Sequence, residues 1–190
     1  MNTNQKISTK RIVTAGLMAA LTVAGSALRV TLPVDIAGTT SFHLGNIMCA
    51  LSGILLGPWL GGLAAGLGSA IYDMMNPLYI SEAWITFLMK GAYGLVTGLI
   101  VRGSTQHSFT YRRCVIGTLA GALTYAVLYL AKSYFYSGLL LNGLTPDAAL
   151  VTLLGKLPAT TFNAVIAVIC APILAMAIDK ALKRNHLSFD

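Results

Sequence analysis

Four basic side chains stand inside apolar stretches of this chain: Arg29, Lys90, Lys132 and Lys156. Asp73 and Asn76 fall at the same level of the hydrophobic pattern, and Asp35, Glu82 and Asp147 lie in the polar stretches nearby. An ionisable group at mid-bilayer depth costs on the order of 3 kcal/mol, so such groups usually face a protein interior or a watery cavity. The chemistry open to this set is non-covalent, with cations, carboxylates and amides converging on a polar solute. Aromatic and amide residues gather at the same level: Tyr72, Asn76, Tyr79, Trp84, Tyr125, Tyr129 and Tyr134. Tyr125, Tyr129 and Lys132 are spaced by four and three, which puts them on one helical face. His43 and Asn46 make a second such pair, and Asn163 a third candidate.

Each of these residues also has a plainer reading. Lys132 and Lys156 fit side chains that snorkel to the headgroups. Lys90 lies about two turns into its segment, roughly 9 Å deep, and is expected in a pocket. Arg29 suits either reading. An interfacial belt accounts for Tyr79 and Tyr134, and Trp84 could be belt or lid. Asn163 could bind a ligand or hold two helices together.

Covalent chemistry finds little support. Gly155-Lys156 lacks the upstream glycine and the following Ser/Thr of a phosphate loop. The three histidines, His43, His107 and His186, are scattered, and Cys49, Cys114 and Cys170 lie far apart in apolar segments. Neither pattern suits a metal or a disulfide framework. Gly66-Leu67-Gly68-Ser69 resembles a nucleophile turn, but only His43, in a loop, is available as a base. No enzyme, metal or cofactor is expected in this chain.

The elements that must position these residues are apolar helices. Of 190 residues 56% are hydrophobic and only 10% charged, with mean hydropathy +0.73. Soluble domains carry about 25% charged residues, so this chain cannot cover a water-facing surface. The net charge of +7 flanks hydrophobic runs and does not form a basic face, which excludes nucleic acid as the reason for it. A bilayer crossing needs about 20 apolar residues. The pattern predicts an all-α membrane protein, a single six-transmembrane-helix bundle with spans at about 12–32, 44–56, 59–75, 84–101, 114–136 and 159–178. The 12–32 run comes after Lys6, Lys10 and Arg11 and could imitate a secretory signal, but it is expected to be retained as a span. Thr145-Pro146-Asp147 reads as a helix start. Pro158 is expected to divide the helical segment that begins there into a short outer helix, 147–157, and the last span. Lys6, Lys10, Arg11, Arg102, Arg112, Arg113, Lys180, Lys183 and Arg184 then lie on one side, and both termini are expected in the cytoplasm. The polar set falls in the outer half.

Small residues recur at spacing four along the first span (Ala15–Ala19 and Gly16–Ala20–Ala24) and at Gly53–Gly57–Gly61, Gly62–Gly66, Gly94–Gly98 and Gly117–Gly121. Such ridges let backbones approach closely in lipid. The first-span ridge, the block Leu44-Gly-Asn through Gly57-Pro58 to Gly68-Ser-Ala-Ile-Tyr-Asp73, and the phrase Phe87-Leu-Met-Lys90-Gly-Ala-Tyr-Gly-Leu-Val-Thr-Gly98 carry a resemblance. It extends over most of the chain and is strongest across residues 12–101. The chain resembles the substrate-binding S components of energy-coupling factor (ECF) vitamin transporters.

The resemblance implies a substrate-capture subunit in a prokaryotic plasma membrane, working with a transmembrane T component and two ATPases that use ATP. It also implies that the T component docks on an Ala-x-x-x-Ala motif, here Ala15 and Ala19, with Ala20 and Ala24 as further candidates. The substrate-binding set expected from the residues is Lys90, Asp73, Asn76, Tyr72, Trp84, Arg29, His43, Asn46, Tyr125, Tyr129, Lys132 and Asn163. Four acidic residues (Asp35, Asp73, Glu82, Asp147) match the four cations in number. That balance favours a near-neutral hydroxylated heterocycle, with pyridoxine or hydroxymethylpyrimidine first, over a carboxylate such as pantothenate. The alternative is a stand-alone, ion-coupled secondary transporter, for which no carboxylate path through the inner half is evident.

Overall fold

The computed structural model describes residues 8–33, 39–103 and 110–185; Lys6, Asp35, His107 and His186 lie outside these. Six α-helices carry the fold: α1 (Thr9–Ala27), α2 (Gly45–Leu56), α3 (Pro58–Met74), α4 (Ala83–Arg102), α5 (Tyr111–Ala131) and α6 (Pro146–Arg184). A single 3-10 turn, Ile80–Glu82, leads into α4, and a π-helical segment, Lys132–Leu141, prolongs α5. Three stretches, Ile80–Arg102, Tyr111–Leu141 and Pro146–Arg184, are long and apolar enough to cross a membrane. The exposed faces of these helices are apolar: Leu119, Leu123 and Val127 on α5, and Val165, Ile169 and Ile173 on α6, repeat every four residues and point outward. Such stripes suit a lipid solvent and no aqueous one.

Two expectations are corrected. The first helix stops at Ala27, well short of residue 32, and the chain turns into a hairpin of β1 (Arg29–Pro33) and β2 (Thr39–His43). The strands are antiparallel, with Arg29 opposite His43 and Thr31 opposite Ser41. Val30, Thr31, Thr39 and Thr40 are β-branched, a composition that fits a pleated ribbon better than a helix end. The second correction concerns Pro158. It lies inside one continuous 39-residue helix, with no division at that point into an outer helix and a span. One proline removes one ladder hydrogen bond, and packing on both sides of it holds the helix together. At 1.5 Å per residue α6 reaches about 58 Å, well beyond the ~30 Å of a bilayer core. Its start agrees with the sequence: Thr145 Oγ1 accepts from Ala148 N at 3.4 Å, and Pro146 opens the first turn.

The centre of the bundle is α2, whose residues are buried along nearly its whole length. Twelve residues give only about 18 Å. A helix wrapped by protein need not span lipid, and its shortness leaves depth for a cavity beyond its N-terminal end. The seam with its neighbours is made of backbone. At Gly61 a Cβ would stand 2.5 Å from the Ser52 carbonyl oxygen, and at Gly53 one would collide with that of Gly94. The tight α2–α3 connection uses Gly57 at φ 81°, a left-handed conformation that glycine adopts without strain. At the end away from the hairpin, Arg11 Nη2 donates to the Leu56 carbonyl (3.0 Å) and Arg102 Nε to that of Ile54 (2.9 Å). Two guanidinium groups thus satisfy the last carbonyls of α2 and complement its negative end.

Candidate functional site

Between the hairpin, the C-terminal half of α3, the N-terminal half of α4, α5 with its π-helical extension, and α6 lies a cavity of about 450 Å³. That volume falls in the range of small-molecule sites, about 300–1,000 Å³. Its walls are mainly polar, which is unusual inside so apolar a chain.

One wall is built on the hairpin. Arg29, at the start of β1, donates from Nε to the Ser26 carbonyl (2.9 Å) and lays its guanidinium over the rings of Tyr72 (4.2 Å) and Tyr79 (5.1 Å). β2 is fixed by α6: His43 N donates to Asn163 Oδ1 (3.0 Å), and Asn163 Nδ2 donates to the Ser41 carbonyl (2.7 Å). Asn163 thus acts as a one-residue strand partner while also lining the cavity. His43 Nδ1 accepts from Gly45 N (3.2 Å), which leaves the proton on Nε2. Burial pushes the imidazole pKa well below its usual value, and the cations Lys90 and Arg29 add to the effect. His43 is therefore neutral at physiological pH.

A second wall is aromatic. Tyr125 and Tyr129 line it, stacked with centroids 5.7 Å apart, and the buried Tyr93 stacks on Tyr125 from behind at 6.0 Å. Lys90, buried on α4, sets its ammonium 3.8 Å from the Tyr125 centroid and donates to Asn46 Oδ1 on α2. Asp73, buried at the end of α3, lines the cavity near Lys90 and Arg29. A third group gathers where the π-helical segment meets α6. Lys132 pairs with Glu82 at 2.5 Å, and Ser137 Oγ donates to the same carboxylate at 3.0 Å. Lys156 reaches Ser133 Oγ at 3.4 Å.

Eight of the twelve expected residues line the cavity: Arg29, His43, Asp73, Lys90, Tyr125, Tyr129, Lys132 and Asn163. Asn46 and Tyr72 stand behind it, holding Lys90 and Arg29. Asn76 and Trp84 are elsewhere. Asn76 Oδ1 accepts from Leu78 N (3.1 Å) and shapes the turn after α3, and Trp84 is 59% exposed, edge-on to Tyr136.

Lys156 is the main cavity residue missing from the expected set. Its sequence context suits snorkelling, yet it is 5% exposed and lines the cavity. Lys156, Thr160 and Asn163 are spaced by four and three, the signature of one helical face. The expected break at Pro158 hides that signal. Among the described residues, the cavity wall holds two of the acids that the sequence suggests. Asp73 and Glu82 line it, Asp147 is exposed at the start of α6, and Asp35 lies outside the described residues.

Residues 6–180 match the sequence profile of a family described as the ECF-type riboflavin transporter, S component. The chain belongs to that family. S components are transport subunits and not enzymes; they bind small vitamin ligands and work with a T component and ATPases. This S component is accordingly a membrane protein and the substrate-binding subunit of an ECF transporter. Among its relatives, an uncharacterised Pyrococcus woesei protein is 33% identical over 119 residues, covering 63% of this chain and 74% of that one. A UPF0397 protein of Streptococcus pneumoniae (strain Hungary19A-6) is 31% identical over 129 residues, covering 65% and 68%. One from Streptococcus gordonii is 34% identical over 91 residues, covering 48% and 46%.

The small-residue ridge of this S component divides between two faces of α1. Ala15 and Ala19 are half-buried against the core, and Gly68 of α3 packs directly on the Ala19 backbone. Gly16, Ala20 and Ala24 are exposed, and a Cβ at Gly16 would meet nothing within 4 Å.

Proposed function

We propose that this S component captures a small water-soluble vitamin in the 450 Å³ cavity and hands it inward with a T component and two ATPase subunits. In this reading the chain crosses a prokaryotic plasma membrane six times, both termini are cytoplasmic, and the cavity opens outward. The observation that carries the reading is the stacked Tyr125–Tyr129 pair flanked by Lys90 in a mainly polar cavity. Aromatic faces suit a planar heterocycle, and the surrounding donors and acceptors suit its hydroxyl and ring-nitrogen groups. The rings of pyridoxine and hydroxymethylpyrimidine are the single-ring frameworks this chemistry favours. Riboflavin, named in the family's description, is the larger member of the same class. At the far end, packed Ile54, Leu55 and Leu56 and the two arginine caps of α2 support closure toward the cytoplasm.

Native mass spectrometry of the protein purified from its host tests this directly. A bound vitamin or precursor, with affinity for the added compound in calorimetry, is the expected result. A protein that carries no small molecule and binds none of the candidates would end the reading. Purification as a lone dimer with ion-driven uptake would favour a secondary transporter.

A further inference from the structure

Two ammonium groups in the cavity wall lack a carboxylate. Lys90 and Lys156 are 4% and 5% exposed, and among the described residues neither makes an ion pair. Their surroundings differ. Lys90 is held by the Asn46 carbonyl oxygen and sits on the face of Tyr125, so its charge is partly met by the protein. Lys156 has only a long donation, 3.4 Å, to Ser133 Oγ and a distant ring, Tyr129 at 5.8 Å. The acid whose charge reaches it, Glu82, is already taken by Lys132 at 2.5 Å and by the Ser137 hydroxyl. Lys132 is a second cation at the same place. Among the described residues, four cations and two carboxylates line the cavity. A buried charge without a counter-charge is strongly unfavourable, and mixed-sign pairing elsewhere in the cavity does not remove this one.

We infer that the captured solute is an organic anion whose carboxylate or phosphate monoester is the missing counter-charge of Lys156. Its planar part lies along Tyr125 and Tyr129, which line the cavity with Lys156. The inference rests on the cavity being the capture site, and it narrows the ligand class within that reading. It also departs from the near-neutral ligand expected from the sequence, because Asp147, one of the acids counted there, is exposed at the start of α6 while Lys156 is buried in the cavity wall.

The test uses the full-length protein in lipid nanodiscs and compounds that share a ring but differ in charge. Pyridoxine is compared with 4-pyridoxate and pyridoxine 5′-phosphate, and riboflavin with riboflavin 5′-phosphate, by calorimetry, alongside mass spectrometry of the co-purified cargo. An ionised cargo, or an anionic member binding about tenfold or more tightly than its neutral partner, is the expected result. The carboxylate and phosphate arms then tell which acid is read. Lys156→Met should abolish that preference, and Lys156→Arg should restore it. Lys156→Met should also raise the melting temperature of the ligand-free protein, because it removes an unpaired buried charge; a structural lysine would lower it. A neutral cargo, or neutral members binding as tightly as both anions, overturns the anion proposal and leaves vitamin capture standing. No cargo and no binding by any compound overturns both.

Discussion

Lys90 and Asp73 are the charged residues whose placement depends least on long, flexible reach. Both are buried, both line the cavity, and each is rooted within a helix that packs tightly on its neighbour. We expect Lys90→Ala and Asp73→Ala each to weaken binding of the co-purified ligand about tenfold or more, the usual scale for losing a hydrogen bond to a charged group. Equal calorimetric affinity for wild type and both variants would remove them from the binding site. His43 gives a pH dependence. Its folded pKa is depressed, so above the ordinary value of about 6.5 the imidazole is neutral in folded and unfolded chains and contributes no pH dependence. As pH falls below about 6.5 the unfolded chain takes up a proton that the folded one resists, and stability is lost at up to about 1.4 kcal/mol per pH unit. Melting temperatures measured from pH 7.5 to 5 should fall for wild type and fall less for His43→Gln. Parallel curves would argue that His43 does not supply the effect.

At the scale of elements, α1 presents two different small-residue faces. One is occupied, since Gly68 of α3 packs on the Ala19 backbone. The other, Gly16–Ala20–Ala24, is exposed among the described residues, and we propose it as the docking ridge for a T component. Ala20→Arg should therefore abolish co-purification of the T component and ATPases while leaving ligand affinity of the isolated protein within about twofold. Ala19→Arg should instead destabilise the bundle and lower binding as well. Intact assembly in Ala20→Arg would move the interface off this ridge. The hairpin is the other decisive element. It turns Arg29 and His43 toward one cavity, and Asn163 of α6 ties it down through both ends of its amide.

For the molecule as a unit the question is topology. In the proposed six-span arrangement, the basic residues grouped at the end opposite the cavity would set both termini on one side of the membrane. Single cysteines placed at Ser8 and Asn185, in a background where Cys49, Cys114 and Cys170 are replaced by serine or alanine, should react with an impermeant maleimide only after the cells are opened. A cysteine at Asp147 should react in intact cells. Labelling of either terminus from outside would break the six-span arrangement.

The amino-acid order alone dictates the solvent, the helical class, the family resemblance and most of the cavity-lining charges. Apolar content, positive flanks and helical spacing are local quantities, and Lys90, Asp73, Tyr125 and Tyr129 can be read from them. The conformation of Arg29–His43 needed three dimensions, because a short hairpin between helices is stabilised by its partner Asn163, 120 residues away from His43. The fate of Pro158 did too. Whether a proline breaks a helix depends on packing to either side, and that packing carries Lys156 into the cavity. Charge balance is the third case. Sequence counts acids and cations, but Asp147 is exposed and Lys156 is buried, and a count has no knowledge of burial. Burial fixes which charges must find a partner, and so it shapes what the cavity can hold.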